Sequence, residues 1–139
     1  MHARFESARK ASAQAPGGSV RVALAESYRL RFLGLMRIEA GDITPLLFPR
    51  CRSLHMHWMR TSIDVAWLDL SLEGDAGSAR VLGVVSGLQP GTSAKAPGAL
   101  ERDVRRRVGA LELPPGRAAA LGLDEGSEIA LRIEPSHKG

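Results

Sequence analysis

The densest chemistry in this chain lies in residues 51–64, Cys-Arg-Ser-Leu-His-Met-His-Trp-Met-Arg-Thr-Ser-Ile-Asp. Residues 52–59 are rich in large side chains and fit a β-strand, in which successive side chains alternate between two faces. Cys51, Ser53, His55 and His57 then share one face, and Arg52, Leu54, Met56 and Trp58 share the other. Two histidines two apart on a strand can both reach one ion, and a cysteine thiolate is a natural third ligand. Cys51, His55 and His57 are therefore candidate ligands for a zinc ion with one position left to activate water. The competing reading is a polar row on a solvated strand face that needs no cofactor. A Cys51 nucleophile with His55 as its base is a further option. Four residues along a strand span roughly 13 Å, so that pair needs a bend or bulge.

Asp64 opens the next apolar run, and a buried carboxylate needs a partner. Arg60, just before it, or Arg31 could supply a bidentate one. That pair is either a structural tie on a hairpin or part of a polar pocket. Trp58, Trp67, Phe48, Phe32 and Met36 are either core or the walls of an apolar ligand pocket.

These residues have to be positioned by a small number of elements. Residues 19–24 alternate and read as a first strand. Residues 26–36 place Tyr28, Phe32, Leu35 and Met36 at helical spacing, with Gly34 as a stop. Residues 46–48 are a short apolar segment. Residues 63–70 and 80–88 read as strands joined by a hairpin-type loop over 71–78. Residues 89–99 carry two prolines and two glycines, which predicts a long irregular loop. Residues 107–113 form another strand, 117–121 a turn or two of helix, and 127–133 the last strand. Residues 1–17 read as a flexible lead-in to a single β-rich domain over 18–134, and 135–139 as a flexible tail. The expected fold is mainly β (α+β), a small barrel-like, mostly antiparallel sheet of about six or seven strands with two short helices.

Composition narrows the function classes. The 139 residues are 44% hydrophobic and 24% charged, enough for one ordinary soluble core. One cysteine excludes a disulfide framework. No apolar run reaches the roughly 18 residues of a membrane helix, and no signal-like apolar region follows the N-terminus. The expectation is a cytoplasmic protein without a membrane partner. Residues 1–70 hold ten basic and six acidic groups, and residues 71–139 hold nine of each. The excess in the first half could attract an anion or simply solvate a face. Arg102, Arg105, Arg106 and Arg107 form the strongest basic cluster. With aromatics at 4% and no helix-turn-helix pattern, a nucleic-acid partner is not expected.

Several short motifs occur together and in order: Arg31-Phe-Leu-Gly34-Leu35-Met36, Leu47-Phe48, Cys51-Arg-Ser-Leu-His55, Met59-Arg60, residues 63–69, and Leu111-Glu112-Leu113-Pro114-Pro-Gly116. The series resembles the domain of unknown function 192 family over about residues 19–133. The resemblance implies a compact barrel-like β domain and carries no established activity. The positions that match its motifs include Arg31, Gly34, Leu35, Met36, Phe48, His55, Met59, Arg60, Asp64, Glu112 and Gly116. Several are polar within apolar surroundings, which implies a clustered site. His57 and Trp58 depart from it, standing where the resembling pattern has an aromatic and a glycine.

The expected function is a binding or accessory domain for a small molecule or peptide. Its polar pocket lies beside the 52–69 hairpin, framed by the sheet and the 89–103 loop. Its candidate residues are Arg31, Met36, Phe48, His55, Met59, Arg60 and Asp64. The alternative is a hydrolytic enzyme, possibly metal-dependent, with His55 as acid/base and Asp64 orienting it. Oligomeric state is not readable from the sequence.

Overall fold

The computed structural model describes residues 1–98 and 107–135. In chain order the elements are β1 (Lys10–Ala15), β2 (Gly18–Leu24), α1 (Tyr28–Leu33), β3 (Leu46–Phe48), β4 (Ser53–His55), β5 (Ile63–Glu73), β6 (Ala76–Leu88), β7 (Ser93–Lys95), β8 (Arg107–Leu113), α2 (Arg117–Ala120) and β9 (Glu128–Ile133). Seven strands close into a barrel in the order β1-β2-β3-β8-β5-β6-β9, and β9 pairs back onto β1. The β2–β3 pair is parallel and the other barrel pairs are antiparallel. β4 and β7 form a separate two-stranded sheet. The mainly β barrel with two short helices agrees with the sequence reading.

Strand alternation divides the apolar residues into two layers. Val22, Leu68, Leu111 and Leu131 belong to one buried cluster that fills the barrel, and α2 adds Ala118 at one end. Leu46, Phe48, Val65, Trp67 and Ala110 belong to a second cluster with Phe5, Leu35, Ile38 and Met56. The outer face of β3, β5 and β8 is thus roofed by the N-terminal turn, the segment after α1, and the β4 region.

Several boundaries differ from expectation, each for a local reason. Residues 1–17 are not a flexible lead-in. Phe5 is fully buried in a 3-10 turn, and β1 is hydrogen-bonded between β2 and β9. Its inward row is Ala11, Ala13 and Ala15, small side chains that carry little hydrophobic signal. The 71–78 loop is instead continuous strand, with β5 and β6 turning tightly at Gly74-Asp75. Within the 89–99 segment, β7 pairs with β4. The 52–59 strand ends at His55, where the backbone leaves the β4–β7 ladder and turns.

α1 covers only Tyr28–Leu33 of the expected 26–36 span. Ser27 Oγ accepts from the Leu30 N–H at 3.1 Å, and Gly34 closes the helix with φ 45°. A Cβ at Gly34 would lie 3.1 Å from Phe48 Cζ, so glycine here serves both the turn and the close approach. Among the described residues, no helix is long and apolar enough to cross a membrane. Arg102, Arg105 and Arg106, and residues 136–139 of the expected 135–139 tail, lie outside the described residues.

Candidate functional site

A cleft of about 900 Å³ opens between the outer face of the barrel and its roof. α1 supplies Arg31 and Phe32, and the segment after it supplies Met36 and Arg37. Phe48, Arg50 and Cys51 come from the end of β3, His55 from β4, and Met56 to Met59 from the turn beyond. Glu112 of β8 comes from the barrel wall. Among the described residues, the large apolar side chains left exposed are Met1, Tyr28, Phe32 and Trp58, and the last three line this cleft at 86%, 70% and 66% exposure. Of its two readings, core or pocket wall, Phe32 takes the second, and Tyr28 joins it. Trp67 is core, fully buried beneath the roof.

The wall is braced from the N-terminus and across the mouth. Arg4 Nη1 donates to the carbonyls of Gly34 and Met36, both at 2.8 Å. The Arg37 N–H donates to the Trp58 carbonyl at 2.8 Å, and the Arg37 guanidinium lies 5.2 Å from the centre of the Trp58 ring. Both residues sit in the left-handed region, at φ 62° and 61°. Bulky residues rarely adopt it, which accounts for a glycine at the Trp58 position in the resembling pattern. The clasp holds a large aromatic surface out in solvent.

Two guanidiniums in the cleft, those of Arg31 and Arg50, form no ion pair with a described residue. His55 and His57 stack with ring centroids 5.5 Å apart. Glu112 is the acid of the cleft. It is 5% exposed, and burial pushes its carboxyl from an ordinary 4.5 up to about 8, with no charge or hydrogen bond from a described residue to offset it. Cys51 lies close enough to feel both Glu112 and Arg31. Its Sγ donates to the Ser53 carbonyl at 3.2 Å. Burial, then Glu112, push the thiol up to about 11, outweighing the opposite pull of the Ser53 contact and Arg31.

Of the expected site residues, Arg31, Met36, Phe48, His55 and Met59 come together here. Arg60 and Asp64 do not. Arg60 points away and pairs with Glu39 at 2.7 Å on the surface. Asp64 is 1% exposed and faces the opposite side of β5, toward the barrel interior with Ala66 and Leu68. Its Oδ1 accepts from the Gly87 N–H at 2.9 Å and its Oδ2 from the Ala118 N–H at 3.1 Å. It thereby caps α2 from across the chain, where the N-cap position is Gly116 and has no side chain to do so. Neither Arg60 nor Arg31 is its partner, and it cannot orient His55.

The candidate metal ligands stand against the reading of a metal-free polar row. Cys51, His55 and His57 all line the cleft, yet no group of three His, Cys, Asp or Glu among the described residues is placed to hold an ion. The raised thiol disfavours Cys51 both as a ligand and as a nucleophile. The described part of the 89–103 loop contributes nothing to the cleft, because β7 draws it onto the far edge of β4. Glu112 was visible in the sequence as a motif position but carried no role. Its one signal is a charged residue inside an apolar strand.

The model of the DUF192 family, described as Uncharacterized ACR, matches residues 10–131, and the chain belongs to that family. No curated protein matches it. A crystal structure of a protein of unknown function from Novosphingobium aromaticivorans is similar at a TM-score of 0.62 and 21% identity, covering 93% of this chain and 96% of that one. A second, from Sinorhizobium meliloti, is provisionally described as a transcription regulator. It is similar at 0.59 and 18% identity, covering 92% and 93%. At these identities the likeness is one of fold.

Proposed function

As the chain belongs to a family that brings no activity with it, its function is read from the cleft, and we propose a binding or accessory domain for a small molecule or a short peptide. The observation that supports this is the gathering of Tyr28, Phe32 and Trp58, all exposed, around one concave site. Soluble proteins leave such surface uncovered mainly where something docks. Three methionines, Met36, Met56 and Met59, add adaptable apolar contact. Arg31 and Arg50 supply polar points that can orient a ligand.

The hydrolytic alternative has lost the pair that motivated it, because His55 and Asp64 serve opposite sides of β5. The domain is read as residing in the cytoplasm, consistent with a single, unpaired cysteine. A thermal-shift and native mass-spectrometry screen of amphiphilic small molecules tests the binding reading. A binder should raise the melting temperature of the wild type and lose affinity at least about fivefold in Trp58→Ala, as expected for a truncated aromatic anchor. A screen with no hit, or hits indifferent to Trp58→Ala and Phe32→Ala, removes the reading.

A further inference from the structure

The cleft combines an apolar wall with an acid, Glu112, that has no partner among the described residues. We propose that the cleft holds the carboxylate of an amphiphilic organic acid, with Glu112 and Arg31 as its two donors and Phe32, Met36 and Trp58 against its apolar body. The inference rests on the binding reading above and names its ligand class.

Glu112 is nine-tenths buried or more, lines the cleft, and receives no compensating charge or hydrogen bond from a described residue. With its carboxyl raised to about 8, it is a neutral acid at pH 7, a donor O–H in an otherwise apolar wall. Arg31, from α1, lines the same cleft. Acid O–H and guanidinium together match the two oxygens of one carboxylate.

The remaining charges decide the sign of the ligand. From the N-terminal turn comes Arg4, from the segment after α1 Arg37, and from the β3 end Arg50. Arg4 is committed to two carbonyls and Arg37 to the Trp58 ring, while Arg50 forms no ion pair with a described residue. From the β4 side come His55 and His57. Glu112 is the lone acid among the described lining residues, so an amine would enter a field of like charge. A phosphate spreads its charge over three oxygens and asks for more donors than Glu112 and Arg31 offer.

The test uses four probes with one tail: octanoate, octanol, octylamine and octyl phosphate. Binding is followed by tryptophan fluorescence and calorimetry on the wild type, Glu112→Gln and Arg31→Ala. At about pH 6.5, octanoate should bind about tenfold or more tighter than octanol, the range of a charge-assisted hydrogen bond. Above about pH 8 its affinity should fall about tenfold per pH unit, as the ionised Glu112 carboxylate meets the ligand's own. Cys51, raised to about 11, stays a neutral thiol through that range. Octanol affinity should change less than octanoate affinity with pH and with either substitution, and circular dichroism of both variants reports that the fold is intact. Glu112→Gln should keep octanoate binding but flatten its fall above about pH 8. Arg31→Ala should lose most of the octanoate advantage.

Equal affinity for octanoate and octanol overturns the acid anchor and leaves the cleft reading standing. Tighter binding of octylamine, or of octyl phosphate at both pH values, overturns the carboxylate assignment. Failure of all four probes overturns both.

Discussion

Two carboxylates lie buried on neighbouring strands, and the chain treats them in opposite ways. Asp64 of β5 faces into the barrel, where two backbone N–H groups donate to it. Glu112 of β8 faces outward under the roof, where nothing among the described residues answers it. The strands pair directly, with Asp64 opposite Leu113 and Val65 opposite Glu112. One step of the strand alternation therefore separates a closed structural joint from an open cleft floor. A buried carboxylate is tolerated either by receiving partners or by keeping its proton. The first solution ties α2, β5 and β6 together. The second leaves a donor waiting for a ligand.

The largest expected effect comes from making Glu112 ionise. Its folded carboxyl titrates near 8 and its unfolded one near 4.5. Between those values the folded state holds a proton that the unfolded state has released. The stabilisation is thus full below the unfolded value and is lost as pH rises through the folded one. At about 1.4 kcal/mol per pH unit, the loss is on the order of 4 kcal/mol. Urea unfolding from about pH 5 to about pH 9 should show stability falling for the wild type and a nearly flat profile for Glu112→Gln. Parallel profiles would mean that Glu112 has a partner after all, and the contrast with Asp64 would vanish.

Asp64→Ala comes next. It leaves the Gly87 and Ala118 N–H groups without an acceptor, which should cost about 2–4 kcal/mol in urea unfolding. Asp64→Asn keeps one acceptor oxygen and should cost less. Neither should change ligand affinity in the cleft, because Asp64 faces the other side of β5. A selective loss of binding with stability intact would return Asp64 to the site.

The same contrast explains what the sequence showed and what it hid. β5 and β8 were legible because both faces carry apolar residues, with Leu68, Leu70, Leu111 and Leu113 inward and Ile63, Val65 and Trp67 outward. β1 was not, because its inward row is alanine and its other face is polar. The alternation over 52–59 continued past the true end of β4, since nothing in the composition signals the left-handed turn at Trp58. Arg31, Met36, Phe48, His55 and Met59 were legible as cleft residues through ordered motifs. Asp64 and Arg60 are close in the chain but not in space, because alternation sends Asp64 inward and Glu39 draws Arg60 outward. Glu112 could be seen as a motif position, but its lack of a partner is a property of packing. No short window of residues contains it.

Arg60→Ala should have the smallest effect. Its bridge to Glu39 is short, at 2.7 Å, yet the two side chains are 54% and 66% exposed. Water and salt screen such pairs, and the two long side chains give up rotamer freedom to meet, so the change should stay within about 0.5 kcal/mol. Arg60 matches a family motif as well as Asp64 and Glu112 do, but it is absent from both the barrel joint and the cleft. Ligand affinity should therefore be unchanged, as measured by the same fluorescence titration. A clear loss of affinity with stability unaltered would extend the binding surface past the Trp58 turn to the start of β5. The boundary between structural joint and cleft floor would then run through Arg60, not between Asp64 and Glu112.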